Sequence, residues 1–136
     1  MARDGGIGRL KKRLAAIPKA VREQAYKDTL EAAEDIANRM RRLVPVDEGD
    51  LRDSITVTPG GHSTPAHSQP GGSHVVPENK VAITAGNNAV RYPHLVEYGT
   101  EQAEAQPYFW PAYRLGKKKA VAKIKRGMRK AIREAK

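Results

Sequence analysis

No cysteine occurs among the 136 residues, which excludes disulfide frameworks and thiolate metal sites and agrees with a reducing setting. Aromatic residues are scarce: one tryptophan, one phenylalanine and five tyrosines. No apolar run approaches the ~20 residues a membrane span requires, so an integral membrane protein is not expected. The opening stretch MARDGGIGRLKKRL lacks the apolar core of a secretory leader, so secretion is not expected either. Catalytic signatures are missing as well: there is no Gly-x-Ser-x-Gly, no phosphate-cradling glycine loop and no His-Glu-x-x-His. An enzyme, a cofactor and a metal site are therefore all unsupported.

What the chain does have is charge, unevenly placed. Lys plus Arg is 25 and Asp plus Glu is 15, a net of +10. Residues 1–43 carry eleven positive and six negative residues. Residues 44–113 carry three and eight, and residues 114–136 carry eleven and one. The two ends are basic and the middle is acidic. Such a field suits nucleic acid or an acidic protein surface.

Hydrophobic spacing predicts a helix over 9–43. Leu10, Leu14, Ile17 and Val21 begin a stripe that Ala25, Ala32, Ile36, Met40 and Leu43 continue. Pro18 predicts a kink or a break, lying in the first turn of the longer helix, and Pro45 a stop. Residues 51–57 alternate as a strand with Leu51, Ile55 and Val57 on one face. The stretch 59–78 holds four prolines and four glycines and reads as a long loop, of a length that is usually functional or disordered. Residues 80–85 predict a second strand and 92–98 a third, extended piece ending at Gly99. A last helix starts near PYFWPAYR, with Leu115, Val121, Ile124, Met128 and Ile132 on one side and basic residues over the rest. The result is an α+β fold in one domain, 1–136: a long N-terminal helix, a small antiparallel sheet of two to four strands, and a basic C-terminal helix packed on it, at about 111–134. Six of the seven aromatics fall in 92–113, which predicts a packing cluster where the final helix meets the sheet.

Candidate chemistry is thin. His62, His67 and His74 stand 5 and 7 residues apart, which fits no tight metal-ligand spacing. Asp47, Glu48, Asp50 and Asp53 resemble part of a calcium loop but lack its twelve-residue series. They read as a solvated helix-exit turn, with Arg52 or Arg91 as surface partners. Glu97, in an apolar and aromatic stretch, is either a buried, paired carboxylate or an edge residue facing a partner. Along the last helix, Lys117, Lys118, Lys119, Lys123, Lys125, Arg126, Arg129, Lys130 and Arg133 are the partner-docking candidates. On DNA they would face phosphates, with a steep salt dependence and no base-reading motif. As a plain amphipathic face they exceed what solubility needs, because like charges at i, i+4 destabilise a helix.

Three segments carry a resemblance. They are Arg42-Leu43-Val44-Pro45-Val46-Asp47-Glu48-Gly49-Asp50-Leu51-Arg52-Asp53-Ser54-Ile55, then Tyr92-Pro93-His94-Leu95-Val96-Glu97-Tyr98-Gly99-Thr100, then Ala105-Gln106-Pro107-Tyr108-Phe109-Trp110-Pro111-Ala112-Tyr113. In this order, between two amphipathic helices, they resemble the neck or tail-completion proteins of long-tailed bacteriophages and related prophage elements. Pro93 stands where that pattern has a small residue, and the 59–78 loop is longer than usual. The resemblance implies a small α+β structural protein of the head–tail junction, without catalysis. It implies a ring of copies, six in number, and head-closure, tail-terminator or tail-tube proteins as neighbours. Assembly would take place in the host cytoplasm. The fold-specifying positions it marks are Pro45, Gly49, Leu51, Arg52, Ile55, Tyr92, Val96, Glu97, Gly99, Thr100, Pro107, Phe109, Pro111 and Ala112. Independently of it, Gly49 suits a positive-φ turn and Gly99 a strand end. Exposed strand edges and the 59–78 loop are candidate contacts between copies, and the basic helix a candidate for docking on an acidic neighbour. A non-specific nucleic-acid-binding protein using the basic ends is the alternative.

Overall fold

A computed structural model describes residues 18–134. The expected helical segment 9–17 lies outside them. Helix α1 spans Lys19–Leu43. Pro18 stands just before it, and its carbonyl accepts the N–H groups of Val21 and Arg22 at 3.0 and 3.2 Å. The inward stripe is Val21, Asp28, Ala32, Ala33, Ile36, Ala37 and Met40. After Leu43 the backbone turns extended at Val44 and Pro45 follows, where a proline ends a helix.

Of the expected strands, 51–57 is extended only at its end, from Thr56, and 92–98 is helical. Residues Gly49–Asp53 form the short helix α2, and the first strand, β1, begins only at Thr56 and ends at Pro59. Leu51 and Ile55 are both buried, and a spacing of four serves a helical turn as well as a strand face. The Ser54 hydroxyl decides for the turn by donating to the Leu51 carbonyl at 2.6 Å. Gly49 opens α2 and does not take the left-handed conformation expected of it. Likewise Pro93–Tyr98 coil into helix α3. Pro93 at its first position is suited to a helix start and, like Glu97 one turn on, is buried. Gly99 (φ 81°) therefore ends a helix, where a Cβ would lie 2.7 Å from the Ala105 nitrogen.

Strand β2, Val81–Thr84, pairs antiparallel with β1 in the register Thr56↔Thr84 through Pro59↔Val81. The arm between them is folded onto the body. Ser63 bridges Val75 and Gln69 bridges Ala85, while Thr64, Ser68 and Val76 are buried. Tyr26 of α1 ties down its base: the Gly60 N–H donates to the Tyr26 hydroxyl at 2.6 Å, and that hydroxyl donates to the Lys80 carbonyl at 3.3 Å.

Helix α4, Phe109–Glu134, runs antiparallel along α1, with Gly116 opposite Ile36 and Gly127 opposite Asp28. Its inner face is only partly the predicted apolar stripe. Ile124 and Met128 are half-buried, but Leu115, Val121 and Ile132 are exposed, and the seam against α1 is made largely of Ala112, Gly116, Ala120, Lys123 and Gly127. A Cβ on Gly116 would come 2.7 Å from Ile36 Cγ1, so small residues allow the two helices to approach closely. The core gathers Ile36, Met40, Val44, Leu51, Ile55, Ala85, Val90, Tyr108, Phe109 and Ala112, with Val57 and Ile83 of the sheet against it. The aromatic cluster thus lies where the start of α4 meets the sheet. The architecture is α+β.

Candidate functional site

The junction of α3 and α4 is built on one carboxylate. Glu97 is 6% exposed. Its Oε2 accepts the backbone N–H groups of Tyr108 and Phe109 at 2.7 and 3.0 Å, and Oε1 accepts that of Trp110 at 3.0 Å. The first four N–H groups of a helix have no partner within it. Here three bond to Glu97, and Pro111 has none to offer. The segment ahead of α4, Ala-Gln-Pro-Tyr, holds no serine, threonine, aspartate or asparagine to cap it locally. That missing cap, beside an acidic residue stranded among aromatics, is the sequence signal that could have assigned Glu97. The Tyr108 hydroxyl donates to the Pro93 carbonyl at 3.2 Å. Burial, with a smaller contribution from the Glu97 charge, pushes its pKa well above the usual tyrosine range.

Other motif positions lock neighbouring elements. Arg52 donates from Nε to the Arg41 carbonyl at 3.2 Å, satisfying one of the open carbonyls at the end of α1. Arg91 donates to the Asn88 carbonyl at 3.2 Å. Neither arginine forms the expected ion pair with Asp50 or Asp53 among the described residues. Tyr92 is partly buried, and its pKa is raised by that burial and by the nearby Glu48 carboxylate. Val96 packs against the core, and its carbonyl accepts the Gln106 N–H at 2.8 Å. Thr100 Oγ1 accepts the N–H groups of Gln102 and Ala103, and Pro107 directly precedes the capped turn.

Of the nine basic candidates on α4, eight are exposed. Lys123 is the exception, bonded to Glu31 at 2.9 Å and near Asp35 at 3.9 Å. This pairing lowers the Glu31 pKa and raises that of Lys123. Six of the eight exposed cations line two surfaces. Lys117, Lys118, Lys125 and Arg129 surround Val121 and Ala122 on the outer side. Lys119 faces a groove of about 570 Å³ between α1 and α4, where Arg39 and Arg42 join it, and Arg126 borders both surfaces. Arg39 and Arg42 were not among the sequence candidates, because only the helix pairing brings them beside α4. A small cavity of about 100 Å³ lies at the α3–α4 junction, between Pro93, His94, Tyr98 and Trp110. Beside it, Tyr98 is 68% exposed and accepts the Trp110 indole N–H at 2.8 Å.

Residues 8–99 match a family described as "Bacteriophage HK97-gp10, putative tail-component". The chain belongs to the HK97-gp10-like family. Comparison with curated proteins and with solved structures returned no significant match. HK97-gp10-like membership makes the chain a structural tail component of a phage, with other head and tail proteins as its surroundings and the virion as its place. The matched span contains α1 through α3 and closes just past Glu97. The HK97-gp10-like part therefore supplies the cap, and α4, outside the match, supplies the helix that is capped. No described helix is long and apolar enough to cross a membrane. Among the described residues no group of three or more His, Asp or Glu side chains could hold a metal ion.

Proposed function

We propose that the chain is a subunit of the head–tail junction, where a ring of six copies completes the neck or the tail end and docks on adjoining rings. Family membership supports the tail setting. The observation that carries the docking role is the outer face of α4, where Lys117, Lys118, Lys125 and Arg129 are exposed around Val121. Like charges one turn apart cost a helix ~0.2–0.5 kcal/mol per pair, a cost that an acidic surface on a head-closure, tail-terminator or tail-tube protein would reverse. The acidic middle of the chain is better suited to face passing DNA than the basic helix is. The role requires shape and charge and no catalysis.

Cutting α4 away is a poor test, because it would uncover Ala32 and Ile36. Neutralising Lys117, Lys118, Lys125 and Arg129 to glutamine keeps the packing and should change stability by only ~0.5 kcal/mol, as is usual at exposed sites. In a complementation assay this variant should leave heads and tails unjoined. Normal joining would refute the docking role. The alternative, non-specific nucleic-acid binding through the basic helices, is supported by the same exposed cations. Tight binding to random duplex DNA that persists in moderate salt would favour it, since a generic cationic protein loses such binding steeply.

A further inference from the structure

The groove between α1 and α4 is cationic on both walls and apolar below. Arg39 and Arg42 line it from α1, and Lys119 and Arg126 from α4. Buried Ile36 and half-buried Ala120 lie beneath them. Asp35, the one acidic residue of the lining, lies against Lys123, which Glu31 also holds. None of the four wall cations has a salt-bridge partner among the described residues. A groove of this kind calls for a short acidic segment carrying one small apolar side chain.

The same chain presents such a segment elsewhere. The turn after α1 places Val46 88% exposed, followed by exposed Asp47, Asp50 and Asp53. None of these three carboxylates has a salt-bridge partner among the described residues. The one arginine within the turn, Arg52, is engaged with the Arg41 carbonyl. The turn is preformed: Glu48 N–H donates to the Pro45 carbonyl at 2.9 Å, and buried Val44 and Leu51 anchor it on either side. Those anchors hold it at the end of α1. The groove runs back along α1 from Arg42 to Ala32, about 15 Å at 1.5 Å per residue, and among the described residues no carboxylate of the turn pairs with a groove cation of its own chain.

We propose that the turn Val46–Asp53 of one copy docks in the α1–α4 groove of a second copy. Val46 enters over Ile36 and Ala120, and the carboxylates meet Arg39, Arg42, Lys119 and Arg126. Donor and acceptor are different surfaces, so the contact is heterologous and repeats from copy to copy, closing into a ring where the rotation allows. The inference takes its biological setting from the ring reading above, and it leaves Lys117, Lys118, Lys125 and Arg129 of the outer face free for the adjoining ring, with Arg126 on the border between the two surfaces. An RNA or DNA duplex fits the site less well, because the cleft is a narrow channel between two touching helices with an apolar floor.

The test uses the full chain and charge reversal. Lys119→Glu with Arg126→Glu alters the groove, and Asp47→Lys with Asp50→Lys alters the turn. All four positions are exposed, and thermal melts report whether each variant folds. In low salt, native mass spectrometry and light scattering should show each pair of reversals weakening self-association about tenfold or more. Combining both pairs should restore it to within about threefold of the unaltered chain, since the swapped charges again oppose each other. A single reversal that associates normally, or a combination that recovers nothing, overturns the proposal. An unaltered chain that stays monomeric overturns it too. Rings that persist in the groove variant would sink this contact and leave the ring reading standing, whereas loss of duplex DNA binding with self-association intact would reassign the groove to phosphates. Head–tail joining in the complementation assay tests the proposed function separately.

Discussion

Replacing Glu97 with alanine should be the most damaging single change away from the apolar core. It strands three N–H donors, two of them on buried Tyr108 and Phe109. A buried donor without a partner costs ~1–3 kcal/mol, and removing one side of a buried charged contact ~3–5 kcal/mol. Water can reach partly exposed Trp110, so the sum settles at ~3–5 kcal/mol. For a domain of this size 1 kcal/mol moves the midpoint by ~3–5 °C, so the melt should fall by ~10–25 °C. Glu97→Gln keeps one carbonyl oxygen for at most two of the donors and should lose about half as much. Far-ultraviolet circular dichroism gives the melts, and hydrogen exchange at Phe109 and Trp110 reports the first turn directly. A Glu97→Ala melt within ~3 °C of the unaltered chain would refute the idea that this carboxylate holds the helix in place.

Other substitutions probe separate links. Gly116→Ala should gain ~1 kcal/mol of helix propensity yet lose more, ~1–3 kcal/mol from overpacking against buried Ile36, so urea titration should give a net loss; a net gain would show that the helices can part without cost. Tyr108 has its folded pKa raised above the usual 10.0, so the neutral hydroxyl is favoured in the fold. Its contribution is complete below pH ~10 and is lost as pH rises through the folded value, so urea midpoints should fall above pH ~10 and fall less in Tyr108→Phe. Deleting residues 61–75 should lower the melting temperature of the isolated chain, because buried Thr64 and Ser68 go with them; an unchanged melt would mean that the arm is not part of the folded body.

The two long helices were legible because their patterns run over several turns, and the two strands because β-branched residues cluster between turn signals. The short pieces were not. Leu51 and Ile55, four apart, satisfy both periodicities, and only the Ser54 hydroxyl and the reach of Arg52 favour the helical turn. At 92–98, Pro93 is the residue that departs from the family pattern, and it suits the first turn of a helix better than a strand. The inner face of α4 was legible at half-buried Ile124 and Met128 and missed elsewhere, because alanine and glycine give little hydrophobic signal although close helix packing needs them. Glu97 was legible as an alternative, a buried paired carboxylate or an edge residue, and its partners are backbone groups that no side-chain pattern announces. The groove depends on residues some eighty positions apart, which only the antiparallel pairing of α1 and α4 brings together.

The carboxylate clasp at the head of α4 separates mounting from message. What holds that helix is its first turn, a strip of alanine and glycine and the Lys123 pair with Glu31, while most of its charge lies on the sides turned outward. The mounted rod is thus close to interchangeable. Any helix with an uncapped start and a slim inner seam could be fitted to the same body and given a different outer surface without rebuilding the core.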